Sequence, residues 1–196
     1  MPGKRKYELK KRAEQLEETH RRITEAALEL HRTVGPAASQ VSEIARRAGV
    51  QRVTVYNHFP DDGSLFSACS AHWRALHPAP EPAIWADIED PAKRLISALR
   101  ALYAWNRETE PMTENVLRDM ERLPALRGVI ENGLGRYLAT VRTSLAGAFR
   151  VRGRRRRRLE VALRAATDFH LWQALAPLGD PEAADLAATL VLAATQ

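Results

Sequence analysis

Apolar residues recur every three or four positions along most of the chain, and the strict alternation typical of a β-strand is almost absent. Such spacing places apolar side chains on one face of a helix. Prolines and glycines interrupt the periodic stretches, with clear breaks around Gly35-Pro36 and across residues 78–82. The pattern predicts an all-α fold of about nine helices with no internal repeats.

The predicted helices differ in length. The first ends around Gly35 and carries one apolar stripe formed by Leu9, Ala13, Leu16, His20, Ile23, Ala27 and Leu30. Two short helices follow, and a fourth starts near Gly63. Beyond the prolines we expect helices over residues 90–108, 111–123, 124–149, 155–176 and 181–194.

The two short helices lie within residues 41–60. Ile44, Ala45 and Ala48 share one face of the first, and Gly49 can adopt the positive φ that ends it. Two helices joined this tightly predict a helix-turn-helix, whose second helix fits the major groove of DNA. An ordinary helical corner is the alternative. The core positions expected after the turn are Val50, Val53, Tyr56 and Phe59, before Pro60 stops the helix.

This segment resembles the amino-terminal domain of the tetracycline-repressor (TetR) family over roughly residues 20–68. The resemblance implies a three-helix DNA-binding domain followed by a helical domain for ligand binding and dimerisation. Asp62 departs from the family pattern, which often has a phosphate-contacting lysine there, so that contact is expected to be absent. The matching positions are Ile23, Ala26, Ala27, Leu30, Gly35, Ser39, Val41, Ile44, Ala45, Ala48, Gly49, Val50, Tyr56, Phe59, Leu65 and Phe66.

The second short helix directs polar side chains away from its core positions. Arg52 suits bidentate contact with guanine, and Asn57 suits contact with adenine. Thr54 offers a hydroxyl to a base edge or a methyl group to thymine, and Val53 packs inward or touches a thymine methyl. These residue types predict direct reading of base edges.

Phosphate contacts complete the predicted interface. The resemblance places Ser39, Tyr56 and His58 like the phosphate-contacting residues of the family. For each residue, a solvated side chain is the alternative. The full predicted DNA-binding set is Ser39, Gln40, Gln51, Arg52, Val53, Thr54, Tyr56, Asn57 and His58.

The net charge of +6 and the pI of about 9.9 favour a polyanionic partner. Residues 1–15 hold six basic and two acidic residues, whereas residues 16–75 hold seven of each. A basic arm over residues 1–15 is therefore expected to add sequence-independent affinity for DNA, or else to be a solvated tail. The expected domains are this arm, a helix-turn-helix domain over residues 16–77 and a ligand-binding and dimerisation domain over residues 78–196.

The last two predicted helices are rich in alanine. Small side chains let helices approach closely, which favours a four-helix bundle between two copies of the chain. The resemblance implies this homodimer, and a twofold dimer would read a palindromic operator in double-stranded DNA. The alternative is that the two helices only close an intrachain core.

Large and soft side chains concentrate in residues 103–137 and 166–173. Small-molecule sites are mainly apolar with a few polar anchors. This composition predicts a site for an apolar or aromatic effector, with ordinary core packing as the alternative. The candidate ligand-binding residues are Tyr103, Asn106, Met112, Asn115, Met120, Tyr137, Phe169, His170 and Gln173.

These features predict a sequence-specific transcriptional regulator, a repressor released from its operator when an effector moves the fourth helix. The alternative is an architectural or partner-controlled DNA-binding protein without a small-molecule ligand. The histidines form no metal-binding pattern, and the sequence has neither a glycine-rich phosphate loop nor a nucleophile elbow. We therefore expect no enzyme, no metal and no cofactor.

Three further expectations concern the location of the protein, its single cysteine and its arginine-rich segment. No apolar run approaches the ~20 residues that span a bilayer, and the amino terminus lacks the apolar core of a secretory signal, so we expect a cytoplasmic protein without membrane contact. Cys69, the single cysteine, is expected to be a buried apolar residue rather than a redox sensor. The arginines between residues 150 and 158 are expected to be a solvated loop and helix start rather than a second nucleic-acid site.

Overall fold

The computed structural model describes the backbone of residues 2–196 and the side chains of residues 7–196, and no strand occurs in this part of the chain. The all-α prediction is therefore confirmed. The helices are α1 (Pro2–Thr33), α2 (Val41–Ala48), α3 (Arg52–His58), α4 (Asp62–Leu76), α5 (Ala83–Ala86), α6 (Pro91–Asp119), α7 (Pro124–Ile130), α8 (Arg136–Gly147), α9 (Gly153–Ala166), α10 (Phe169–Leu175) and α11 (Asp180–Ala193).

The chain divides into two compact units. The first contains the chain up to His77 together with Pro111–Ile130, and the second contains Pro78–Glu110 and Glu131–Gln196. The first unit therefore includes α1 to α4, α7 and the end of α6. The second includes α5, the beginning of α6 and α8 to α11.

The core of the first unit forms where α1 packs against α2 and α4. Ile23 and Ala27 of α1 are fully buried, and Ile44 of α2 is 1% exposed. Their removal from water stabilises the unit by roughly 25 cal/mol for each Å² of apolar surface. The buried cluster consists of Ile23, Ala27, Leu30, Ile44, Ala45, Ala48, Val55, Phe59, Leu65 and Cys69.

The amino-terminal half of α1 differs from the prediction. Leu9 and Leu16 are 59% and 60% exposed, so the expected apolar stripe is buried only from Ile23 onward. The helix itself continues, and an exposed pair between Lys10 and Glu14 (3.8 Å) lies one turn apart on its surface. The predicted basic arm includes Lys4, Arg5 and Lys6, whose side chains lie outside the described residues.

One helix replaces the two that were predicted over residues 90–108 and 111–123. Pro111 lies inside α6 instead of opening a new helix. Proline removes one backbone donor from a helix. Pro111 is exposed, so water can hydrate the carbonyl of Arg107 that loses its helical partner.

The remaining boundaries also differ in places. A π-helical turn, Glu131–Gly135, separates α7 from α8 within the helix predicted over residues 124–149. The helix predicted over residues 155–176 is divided at Asp168, whose carboxylate accepts hydrogen bonds from the N–H groups of His170 (2.9 Å) and Leu171 (3.4 Å). Such an amino-terminal cap starts a new helix, α10.

In the second unit, α9 packs against α8, α10 and α11. Trp172 is fully buried, and its indole N–H donates to Asp180 (3.1 Å). Arg107 of α6 pairs with the same carboxylate at 2.8 Å and lies 5.3 Å from the centre of the Trp172 ring. The carboxylate thus joins α6, α10 and α11.

Candidate nucleic-acid interface

The turn between α2 and α3 forms as its glycine predicts. Gly49 adopts the left-handed conformation (φ 66°, ψ 37°), which ends α2. The N–H of Val50 then donates to the carbonyl of Ala45 at 2.9 Å. Apart from Gly49 and its neighbours along the chain, no described atom lies within 4 Å of the position that a Cβ would take there, so the backbone conformation rather than space favours glycine.

Two residues anchor α3 in the core. Val55 is 2% exposed and Phe59 is 4% exposed. Val53 and Tyr56, both expected at core positions, are 57% and 49% exposed, so that part of the prediction is wrong. Residues four apart share a helical face, and Val55 and Phe59 occupy the inner one, which turns Val53 outward.

The outer face of α3 is mainly polar. Gln51, Arg52 and Asn57 are exposed, and Thr54 is partly buried. These residues lie beside exposed Val53, so one surface offers a guanidinium, two amides, a hydroxyl and an apolar group. Such a set can form hydrogen bonds with base edges and contact a thymine methyl.

The arginines of the first unit differ in their partners. Arg46 and Arg47 both bind the carboxylate of Glu43, at 2.7 and 2.8 Å. Hydrogen bonds from these two arginines lower the pKa of Glu43 to about 2. Arg21 likewise bridges two glutamates of α1. Arg52, in contrast, pairs with no acidic side chain among the described residues, so its guanidinium remains available to a ligand.

His58 lies at the edge of α3 against α1. Its ring centre is 6.0 Å from that of His20, which in turn lies 4.5 Å from Phe59. Burial, with a smaller contribution from His58, lowers the pKa of His20. The sequence pattern places His20 only in the apolar stripe of α1, because a contact between residues 38 positions apart leaves no local signal.

The residues before α2 complete the predicted set. Ser39 is partly buried, and its hydroxyl donates to the carbonyl of Gly35 at 2.8 Å. Gln40 is exposed at the amino-terminal cap of α2. Both therefore adjoin the first turn of a helix, where backbone N–H groups are available to phosphate.

Asp61 and Asp62, at the start of α4, both stabilise that end of the helix. Asp61 accepts the N–H of Ser64 at 2.7 Å, and Ser64 completes a capping box. Asp62 is exposed in the first turn of α4, where a negative charge favours the helix dipole.

The nine candidate effector residues fall into both units. Met112, Asn115 and Met120 belong to the first unit, and the other six belong to the second. Asn115 already bonds to two backbone carbonyls of α1. Tyr103 and Tyr137 donate to the carbonyls of Ala166 (3.0 Å) and Pro80 (2.7 Å). Of the rest, Asn106 and Phe169 are buried, Gln173 is partly buried and His170 is exposed.

Other chemistry is sparse in the described part of the chain. It contains no group of three potential metal-binding residues and no helix that is long and apolar enough to cross a membrane. Cys69 is buried, and burial raises the pKa of its thiol to about 12. A thiol this buried and this weakly acidic does not suit a redox sensor.

Residues 23–69 match the family model described as bacterial regulatory proteins, tetR family. These 47 residues are about a quarter of the chain, and it is this segment that is similar to the TetR family. The matched residues begin in the buried part of α1 and end in α4. They therefore contain the whole helix-turn-helix and the core that supports it.

Three further proteins are similar to this chain, one in part of its sequence and two in fold. The HTH-type transcriptional regulator AcrR of Shigella flexneri is 38% identical over 58 residues, which cover 30% of this chain and 27% of AcrR. A transcriptional regulator from Rhodococcus sp. Rha1 shares the fold with a TM-score of 0.58 and 22% identity, over 89% of this chain and 96% of its own. Thermus thermophilus FadR, a TetR-family repressor solved with lauroyl-CoA, has a TM-score of 0.55 and 22% identity, over 90% of this chain and 95% of its own.

Proposed function

We propose that this protein is a sequence-specific, DNA-binding transcriptional regulator that represses its target until a small molecule releases it from a palindromic operator. It acts in the cytoplasm, and the proposal includes no catalytic step. The outer face of α3 carries the proposal, because Arg52 and Asn57 are exposed there and Arg52 lacks a described acidic partner.

The division of roles on α3 leads to a direct test. A binding selection from random duplexes with the wild-type protein should yield a palindrome. Arg52→Ala and Asn57→Ala should each weaken binding to it by about 1–3 kcal/mol and relax the preference at one position in each half-site. Tyr56→Phe is the matched control, because loss of a phosphate contact weakens binding to all sequences about equally.

Two results would contradict these assignments. Unchanged base preference in both the Arg52 and the Asn57 variants would remove the reading role from α3. A changed preference in the Tyr56 variant would show that base-reading and phosphate-contacting residues have been exchanged.

We also propose that a homodimer forms through α9 and α11. These two helices pack together within the second unit. Their outer surface retains apolar side chains: Val161 on α9 is 69% exposed, and Leu186 and Leu190, one turn apart on α11, are 41% and 55% exposed. A second copy would cover these residues and pair the two reading helices for a palindrome.

The double variant Leu186→Glu with Leu190→Glu should abolish the dimer, because the interface would bury two unpaired charges. Leu178→Glu is a control of the same type, since Leu178 is 44% exposed but lies outside both helices. Sedimentation velocity measures the outcome. A dimer that survives in the double variant would place the interface elsewhere.

An apolar or aromatic effector completes the proposal. Its support is the buried Trp85, whose indole N–H has no hydrogen-bond partner among the described residues. An acceptor atom on a bound molecule would satisfy this donor. The relative FadR, solved with lauroyl-CoA, suggests a first probe.

Release of the selected duplex by lauroyl-CoA, and not by free coenzyme A, would support an effector with a long apolar chain. A differential effect is required, because a molecule that binds the free and DNA-bound forms equally shifts nothing. An affinity for DNA that no small molecule changes would instead support the architectural or partner-controlled alternative.

A further inference from the structure

The carboxyl end of α1 is capped by a side chain from α6. Asn115 Nδ2 donates to the carbonyls of His31 (3.2 Å) and Arg32 (2.9 Å). Both carbonyls lie in the last turn of α1, where the helix itself supplies no further N–H donors. Asn115 therefore satisfies acceptors that would otherwise need water.

A carboxylate from the end of α6 holds the segment that follows α1. Asp119, only 4% exposed, accepts the N–H of Ala37 at 2.9 Å. Arg118 donates to the same carboxylate at 2.8 Å and to the carbonyl of Val34 at 3.3 Å. Burial works to raise the pKa of Asp119, but the bonds from Arg118 and Ala37 outweigh it and lower the pKa. The carboxylate is therefore charged and makes charge-assisted hydrogen bonds.

Gly35 lets the backbone pass close to these side chains. Its φ is 92°, and an added Cβ would overlap the Arg118 guanidinium and lie 2.5 Å from Asp119 Oδ2. The carbonyl of Gly35 accepts the hydroxyl of Ser39, which comes just before α2. We call Asn115, Arg118 and Asp119 the α6 latch.

We propose that the α6 latch is a positioning device for DNA recognition. It fixes the end of α1 and the segment that leads into α2, and α2 carries α3 through the tight turn at Gly49. The three latch residues are positioning residues, since none of them lies on the reading helix. This inference rests on the proposed DNA-binding function.

The latch makes a specific link between sequence-distant parts of the first unit. Its hydrogen bonds join residues that are 82–84 positions apart along the chain and that all belong to the first unit.

The test uses the full chain and two readouts. Asp119→Ala should increase the exchange rate of the Ala37 amide, measured by NMR, and should lower affinity for the selected duplex on the order of tenfold. Asp119→Asn retains an acceptor for Ala37 and should restore much of the amide protection. Glu121→Ala is the control, because Glu121 is exposed and lies only two residues away. Asn115→Ala tests the cap separately if Asp119→Ala does not fold.

The outcomes separate this inference from the proposed function. Faster Ala37 exchange with unchanged affinity would overturn the positioning role, and unchanged exchange would show that the latch does not hold the segment. Failure of the wild-type protein to select any duplex would overturn the proposed function itself and this inference with it. Faster exchange and weaker binding in the Asp119 and Asn115 variants, but not in the Glu121 control, would support the latch.

Discussion

The two helices of the helix-turn-helix are nearly equal in length but differ in how their side chains are used. α2 buries Ile44, Ala45 and Ala48, and its two arginines both pair with Glu43. α3 buries only Val55 within the helix, and Arg52 has no acidic partner among the described residues. The arginines of α2 thus have acidic partners within the protein, whereas Arg52 of α3 has none among the described residues.

The contrast explains how a domain without net charge could serve the proposed binding to DNA. Residues 16–75 contain as many acidic as basic residues, so net charge gives no attraction. Glutamates pair with exposed arginines on α1 and α2 and offset their charge, whereas Arg52 of α3 has no acidic partner among the described residues. Substitutions in the core beneath α3, and substitutions that change which arginines are paired, test the difference between the two helices.

The greatest loss of stability is expected from protonation of His31, which is buried in α1. Burial lowers the pKa of His31 to about 4 from its ordinary value of 6.5, against the opposing charge of Asp119. The unfolded chain therefore binds the proton more readily, and stability that is complete above pH 6.5 is lost as the pH falls toward 4. The loss should reach about 3 kcal/mol.

Urea unfolding between pH 8 and pH 4 measures this dependence. His31→Gln should flatten the decline over that range, although it also lowers stability at pH 8 because the site is buried. His170→Gln is the matched control, since His170 is exposed. Equal pH dependence in the wild-type protein and the His31 variant would show that another group causes the acid effect.

The same substitution at two valines of α3 should lower stability by different amounts. Val55→Ala should destabilise the protein by about 2 kcal/mol, because Val55 is 2% exposed and its loss leaves a cavity. Val53→Ala is the same substitution at a position that is 57% exposed, and should change stability by less than about 0.5 kcal/mol. Thermal unfolding of both variants decides; equal destabilisation would mean that Val53 is packed after all.

A weaker effect is expected when the negative charge of α2 is removed. Glu43→Gln removes the carboxylate shared by Arg46 and Arg47. Both arginines of α2 would then lack an acidic partner, as Arg52 of α3 does. Affinity for non-specific DNA should then depend more steeply on salt, with a slope of log affinity against log salt that rises by about one unit. Glu29→Gln on α1 gives the same charge change through the loss of its pair with Arg32. A rise of the same size in both variants would attribute the effect to net charge alone.

The sequence predicted the features that depend on neighbouring residues. Gly49 between two apolar faces indicated the turn, and helical spacing predicted the end of α1, the positions of α2 and α3 and the start of α4 close to where they are observed. The choice between Val53 and Val55 as the anchor of α3 could not be made in this way, because two valines in a seven-residue helix both fit an apolar position. Packing against the rest of the first unit buries Val55 and leaves Val53 exposed.

Other features depend on contacts across long stretches of chain. Ala37 and Asp119 are 82 residues apart, and no local pattern indicates their hydrogen bond. Asn115 was predicted as a polar anchor for an effector, yet its amide bonds to the backbone of α1. Pro111 was expected to open a helix, because the sequence does not show that its face of α6 is exposed.

Cys69 can report how often the core of the first unit opens. The thiol is 4% exposed, and with a pKa of about 12 it holds almost no thiolate at neutral pH. An alkylating reagent therefore modifies the intact protein only when local or global opening exposes the sulfur. Since Cys69 is the single cysteine, the labelling rate counts these openings directly, without an engineered probe. Operator DNA that stabilises the closed core should slow the labelling in proportion to its occupancy.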